Sequence, residues 1–124
     1  HYYASRGLGD VYMRQAGGCK CMTLVHIEHE IGRYMILCEG HSADEKCCNY
    51  ITGVLYAFGG YVKNMESEGE CEVYGFEIDE GAPRFLVHCG GDERIEAAFL
   101  AACIGLKQLE ATRPDAICEC IEEN

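Results

Sequence analysis

One histidine and two adjacent cysteines lie close together in the segment EGHSADEKCCNYITG, residues 39–53. His41 follows a glycine, and Cys48 comes seven residues later, at the start of an apolar repeat typical of a helix. An imidazole that takes the proton of a thiol creates a nucleophile, so these residue types suit nucleophilic acyl transfer. Helix N-terminal amides and a nearby imidazolium both stabilise a thiolate. The same amides can hold the oxyanion of a tetrahedral intermediate.

Helix phase distinguishes the two cysteines. Counted back from Ile51 and Val54, Cys48 projects near the sheet-facing edge of the predicted helix, toward the strand end that carries His41. Cys47 is about 100° away and precedes the helical pattern, which predicts a packed loop residue. Cys48 is therefore the predicted nucleophile. Spacing alone leaves open that the loop is incidental, because one histidine and one cysteine often fall close together by chance.

Four strand-like runs and two amphipathic repeats would position this pair. Residues 23–29 and 33–39 flank Gly32 and predict a hairpin whose second strand is central. An apolar stripe over 48–65 predicts the first helix. A second β pair follows at 72–78 and 85–89, with Tyr74, Phe76 and Ile78 on one face of the first strand.

The second helix is predicted to begin at an Asp92 cap, after Gly90-Gly91 breaks the strand, and to end before Pro114. Residues 115–121 suggest a short last strand. The order ββαββα predicts an α+β, two-layer fold, with an antiparallel sheet of about four strands and two helices packed on one face.

Length and charge limit the classes of function. We expect one domain at residues 22–124, preceded by an extension, residues 1–21, that is poorly ordered or not native. No apolar run approaches the ~20 residues of a membrane span, and no export signal opens the sequence. The expectation is a cytoplasmic protein that has no membrane partner. The net charge of -11 argues against nucleic acid as a ligand and is compatible with a basic protein partner.

The ten cysteines are predicted to be mostly reduced core thiols, because two are adjacent and others fall within apolar patterns. His26 and His29 are three apart in a strand, so they should face opposite sides and share no metal ion. The CxC pairs at 19–21 and 118–120 could supply four zinc thiolates, but they lack the usual CxxC spacing. We predict neither a metal site nor a cofactor.

Three segments carry a resemblance to a known family: GHS at 40–42, CCNYITGVLYA at 47–57, and DERIEAAFLAACIGLKQLEATRPDAI at 92–117. Over about residues 22–120 the chain resembles the ribosomal-processing cysteine protease family (Prp). The resemblance implies the ββαββα fold, a Cys48/His41 dyad and a homodimer. It also implies a protein substrate, since members trim an N-terminal extension from a large-subunit ribosomal protein and phage relatives process virion proteins.

The departures from the family pattern lie around the dyad. Glu45 stands where members carry an aspartate, and Thr52 replaces a serine four residues after the nucleophile. With Gly40 and Asn49 they form the candidate supporting residues. The loop between His41 and Cys48 is shorter than in ribosomal members, which indicates a phage- or prophage-type relative. The alternative function is a non-catalytic dimeric interaction module, either a degenerate relative of the family or a protein held together by zinc.

Overall fold

The computed structural model describes residues 23–40, 45–78, 84–112 and 118–123. Its elements follow the order β1 (Thr23–Glu30), β2 (Arg33–Glu39), α1 (Glu45–Ser67), β3 (Cys71–Glu77), β4 (Arg84–Gly91), α2 (Glu93–Thr112) and β5 (Cys118–Glu123). This order confirms the predicted α+β class and the ββαββα sequence of elements. The predicted extension, residues 1–21, and His41 lie outside the described residues.

The strands form a single sheet with the order β3-β4-β2-β1-β5. β1 to β4 run antiparallel to their neighbours, and β2 lies in the centre, as its apolar sequence predicts. β5 pairs with β1 in parallel, with Thr23 opposite Cys118. The last strand that the sequence suggested therefore makes the sheet five-stranded and mixed.

Both helices pack on one face of this sheet because each has one apolar stripe. In α1 the buried positions recur every three or four residues, which is the period of a helix side: Cys47, Ile51, Leu55, Phe58, Val62 and Met65. In α2 they are Ile95, Phe99, Ala102, Cys103, Leu106 and Leu109. Alternate strand residues meet these stripes and form one core with them, including Ile27, Ile36 and Val87.

Helix α1 begins at Glu45, three residues before the predicted start at Cys48. The prediction that Cys47 lies in the loop is wrong, because Cys47 is within the helix and only 1% exposed. It precedes Ile51 by one turn, so it extends the buried stripe.

The prediction that Tyr74 shares a face with Phe76 is also wrong. The register of β3 against β4 shifts between Val73 and Gly75, which is a β-bulge. The extra residue breaks the alternation, so Phe76 packs against the core whereas Tyr74 lies on the other face, 46% exposed and edge-on to His88.

Gly90 and Gly91 continue β4, contrary to the prediction that they end it. They are glycines because neighbours approach closely. A Cβ at Gly90 would lie 2.6 Å from the Tyr74 hydroxyl and 2.9 Å from the Gly32 carbonyl oxygen. The predicted cap of α2 is confirmed, because the Arg94 amide donates a 2.9 Å hydrogen bond to Asp92 Oδ1.

Candidate active site

The Gly-His segment leaves the centre of the sheet through a conformation that favours glycine. β2 ends at Glu39, and Gly40 follows with a φ of 81°, in the left-handed region. His41 is the next residue in the sequence. The imidazole itself is outside the described residues.

Cys48 lies in the first turn of α1, at its fourth residue, and its side chain is half-buried. Side chains in a helix lean toward its N-terminus, so this thiol is directed back toward the beginning of the helix. Cys47, one residue earlier, is buried in the core. Of the two adjacent thiols, Cys48 is the more accessible one.

The other predicted site residues are spread along the same turns. Thr52 follows Cys48 by one helical turn, on the same side of α1, and is half-buried. Asn49 is exposed. The backbone of Glu45 forms the first residue of the helix. The structure therefore brings Cys48 and Thr52 to one side of α1 and turns Asn49 toward solvent.

The remaining described cysteines are poorly suited to nucleophilic chemistry. Cys38, Cys89 and Cys103 are buried. Burial raises the pKa of Cys89 to about 12, with a smaller contribution from the neighbouring Cys71. Cys71 is half-buried, its pKa is also raised by burial, and its thiol donates to the Val62 carbonyl at 3.4 Å.

Tyr50 anchors the start of α1 to α2 and was not singled out from the sequence. Its hydroxyl donates a 2.9 Å hydrogen bond to the carbonyl oxygen of Gly105. A Cβ at Gly105 would lie 3.5 Å from Val54 and 3.7 Å from the Tyr50 oxygen, which is ordinary van der Waals contact, so Gly105 lies directly against α1 at this crossing. The sequence feature that could have indicated this helix crossing is the glycine inside the second amphipathic helix.

The structure also tests the metal and membrane expectations. His26 and His29 lie on opposite faces of β1, as the alternation predicted, because His29 contacts the aromatic rings of Tyr34 and Phe99 on the helix side. Within the four described ranges, no group of three or more His, Cys, Asp or Glu could hold a metal ion. None of the helices in those ranges is both long and apolar enough to cross a membrane.

Comparison with known proteins gives matches at the level of structure. No protein-family model and no curated protein matches the sequence. A crystal structure of the essential ribosomal processing protease Prp from S. aureus, with a covalently linked product peptide, superposes with a TM-score of 0.63 at 15% identity. That match covers 81% of this chain and 100% of the protease.

Two further solved structures agree. The same protease with a substrate peptide gives a TM-score of 0.59 at 14% identity, covering 82% of this chain and 99% of the protease. A protein from Streptococcus mutans gives 0.57 at 16% identity, covering 82% of this chain and 95% of its own. At these identities the likeness establishes the fold, and the resemblance found in the sequence is confirmed at that level: the chain has the fold of the ribosomal processing protease Prp.

Proposed function

We propose that this protein is a cysteine endopeptidase that trims a precursor protein, with Cys48 as nucleophile and His41 as general base. The observation that carries the proposal is the position of Cys48, an accessible thiol in the first turn of α1, shortly after the Gly40-His41 turn. The fold is shared with a protease whose crystal structures hold a substrate peptide and a covalently linked product peptide.

The reaction would follow the course of cysteine acyl transfer. The Cys48 sulfur bonds to the carbonyl carbon of the scissile peptide while His41 takes the thiol proton. When the tetrahedral intermediate collapses, the C–N bond breaks and His41 returns the proton to the departing amine. Water, deprotonated by His41, then hydrolyses the thioester and restores the thiol. Backbone amides of the first turn of α1 are suited to stabilise the oxyanion, because the N-terminus of a helix favours negative charge.

The supporting residues would act on the dyad and its turn. Gly40 supplies the positive φ from which His41 departs. Thr52 places a hydroxyl one turn behind Cys48, and Asn49 presents an amide to solvent beside it. Glu45 begins the helix, and its carboxylate is a candidate to orient His41.

The substrate class follows from the resemblance and from charge. We infer that the substrate is the precursor of a large-subunit ribosomal protein or of a phage virion protein. The net charge of -11 favours encounter with a basic substrate protein. The proposal includes a homodimer and a cytoplasmic location.

Alkylation of cysteines resolved by peptide mass spectrometry tests the dyad without a known substrate. Native protein is pulsed with iodoacetamide across pH 5–9, and the rate at each cysteine is compared with the same rates in His41→Ala. We expect Cys48 to react fastest at neutral pH and to lose this advantage in His41→Ala, because the imidazole holds the thiolate. Equal rates at Cys48 and the other half-buried thiol, Cys71, would refute an activated dyad and favour the non-catalytic module.

Cleavage of the two precursor classes is then followed with matched cysteine variants. Cys48→Ala should abolish cleavage and leave the unfolding midpoint nearly unchanged, since its side chain is only half-buried. Cys47→Ala should lower the unfolding midpoint and leave cleavage nearly unchanged, because it removes a core sulfur but no reacting group. If Cys47→Ala abolishes cleavage in folded protein, the assignment of the nucleophile is wrong.

A further inference from the structure

The sheet has a second face, opposite the helices, which we call the open face. In its middle it carries Leu24, His26, Met35, Leu37, Leu86 and His88, which alternate with the helix-facing core residues and pair with one another across β1, β2 and β4. No described helix lies on this face. Nevertheless it has an apolar centre, which monomeric proteins rarely leave uncovered.

Two side chains on the open face are almost fully buried, so other atoms of the protein must cover part of this face. Leu24 is 2% exposed and His26 is 3% exposed, yet Leu24 does not belong to the core cluster under the helices. Farther along the same face of β1, the side chain of Glu28 is 33% exposed, and Glu30 is exposed. The cover is therefore at the end of β1 where the chain enters the strand.

The central residues of the neighbouring strands are less buried. Met35, Leu37, Leu86 and His88 are all half-buried. Side chains of adjacent strands stand roughly perpendicular to the sheet, so they shield one another's flanks but leave their tips open. Their neighbours therefore account for the half-burial of these four side chains, whereas the nearly complete burial of Leu24 and His26 requires a layer above β1.

Chain length identifies the segment that can provide this layer. The connections at 41–44, 79–83 and 113–117 have only four or five residues each, whereas 22 residues precede Thr23. Fully extended, 22 residues reach about 70 Å. Four strands are only about 19 Å wide, so the segment is long enough to cross the open face more than once.

Charge complementarity points to the same segment. Residues 1–22 contain Arg6, Arg14 and Lys20 against a single acid, Asp10, which is a net charge of +2. The whole chain carries -11, so the remainder carries -13. On the open face, five carboxylates border the apolar centre against two guanidinium groups, those of Arg33 and Arg84, so the border is acidic. The carboxylates are those of Glu28, Glu30, Glu39, Glu72 and Glu77.

The same border argues against a second copy as the cover. Two open faces brought together would oppose acidic borders, and like charges in contact are unfavourable. Arg84 is paired with Glu77 at 2.7 Å, and the remaining arginine of the face, Arg33, does not balance the other four carboxylates. The segment before Thr23 also supplies apolar side chains, including Leu8, Val11 and Tyr12.

We propose that residues 1–22 pack across the open face of the same molecule, with their aromatic and aliphatic side chains over the apolar centre and their basic residues beside the acidic border. The open face is then an intramolecular docking surface. This inference is independent of the chemistry at Cys48.

Limited proteolysis of the full chain tests the proposal. Trypsin cleavage after Arg6, Arg14 and Lys20 is timed by mass spectrometry and compared with cleavage of a synthetic peptide of residues 1–22 under the same conditions. We expect at least tenfold slower cleavage in the folded protein, because a docked segment must detach before it is cut. Equal rates in protein and peptide would overturn the proposal.

Two variants assign the protection to the open face. Leu37→Lys places a positive charge at the apolar centre and should restore cleavage toward the peptide rate. Leu100→Lys is the control, since Leu100 is 42% exposed on the helix layer, and it should stay protected. Circular dichroism checks that both variants are folded. Continued protection in folded Leu37→Lys would overturn the proposal.

Two measurements on the unaltered chain keep the test decisive if Leu37→Lys does not fold. Raising NaCl from 0.05 to 0.5 M should increase cleavage relative to the peptide, because salt screens the contacts with the acidic border. No change with salt would contradict the proposed charge contacts. Protection that increases with protein concentration would place the segment on a second copy and overturn intramolecular docking.

Discussion

Gly40→Ala is the most direct perturbation of the turn that leads to His41. Gly40 has a φ of 81°, and Gly32, in the β1–β2 turn at the other end of β2, has a φ of 79°. The two glycines thus carry the same backbone requirement, and only one adjoins the proposed site. An Ala at either position pays the steric cost of the left-handed region, about 1–2 kcal/mol.

The two substitutions should therefore affect different properties: Gly32→Ala the stability, and Gly40→Ala the reactivity of the proposed site. Gly32→Ala has open space around its new methyl group, so the whole cost should appear as lower stability. For a chain of this length, that lowers the unfolding midpoint by about 3–10 °C. Gly40→Ala can relieve the same strain by rotating the Gly40 peptide, which displaces His41. A misplacement of about 1 Å in a catalytic group can cost on the order of 100-fold in rate.

Thermal unfolding and the rate of Cys48 alkylation, or of precursor cleavage, are measured for both variants below their midpoints. We expect Gly32→Ala to lose stability at normal reactivity and Gly40→Ala to lose reactivity. Gly40→Asn should recover part of it, because Asn adopts positive φ more readily than Ala. If Gly40→Ala changes neither quantity, or Gly32→Ala lowers reactivity equally, the positional argument is refuted.

The remaining predictions concern packing and titration. Gly90→Ala should destabilise by about 1–3 kcal/mol through overpacking, whereas Gly60→Ala, with open space in a helix, should stabilise by about 0.5–1 kcal/mol; urea unfolding measures both. A hydrogen bond from Arg94 lowers the pKa of Asp92 below its usual 3.8, so Asp92 contributes stability that is lost as pH falls below about 4. Asp92→Asn should therefore make stability less dependent on pH in this range, measured by acid titration of unfolding. Burial raises the pKa of Cys89 from 9.0 to about 12, so its contribution is present below pH 9 and is lost as pH rises toward 12; Cys89→Ala should weaken this alkaline dependence in thermal scans.

Most elements of the fold were predictable because apolar periodicity determines them. The buried stripes of both helices and the alternation of β1, β2 and β4 follow the predicted pattern. The start of α1 was misplaced because a cysteine did not count as part of the apolar stripe, although Cys47 is in phase with Ile51. A small buried thiol behaves as an apolar residue, so including it would have placed Cys47 within the helix.

The errors in β3 and β4 have a common cause in glycine. Gly75 follows the bulge that turns Tyr74 to the open face, and Gly90 admits a tyrosine hydroxyl and a backbone carbonyl close to its Cα. The sequence pattern indicated a strand break at Gly90 and did not single out Gly75. Inside a strand, glycine often marks a bulge or a close approach of other atoms, which only the packing of neighbouring strands reveals.

The candidate site was predictable as far as helix phase and chain connectivity determine it. Phase separates Cys48 from Cys47, and Gly40 fixes where His41 leaves the sheet. The separation of imidazole and thiol depends instead on the backbone angles of the four residues from 41 to 44, which no apolar period encodes. The Tyr50 anchor depends on α2 crossing α1 at Gly105, a contact between residues 55 apart.

Residues that affect stability and residues of the proposed active site lie at opposite ends of the sheet. Gly32, Gly90 and the Asp92 cap lie together at the hairpin end. Gly40 and the start of α1 lie at the opposite end, across the seven residues of β2. Seven residues of strand span about 23 Å, well beyond the roughly 7–10 Å within which substitutions couple energetically. The double variant should therefore combine the stability loss of Gly32→Ala with the loss of reactivity of Gly40→Ala, each as large as in the single variant. Changes at the hairpin end should adjust stability while the Cys48 turn keeps its reactivity.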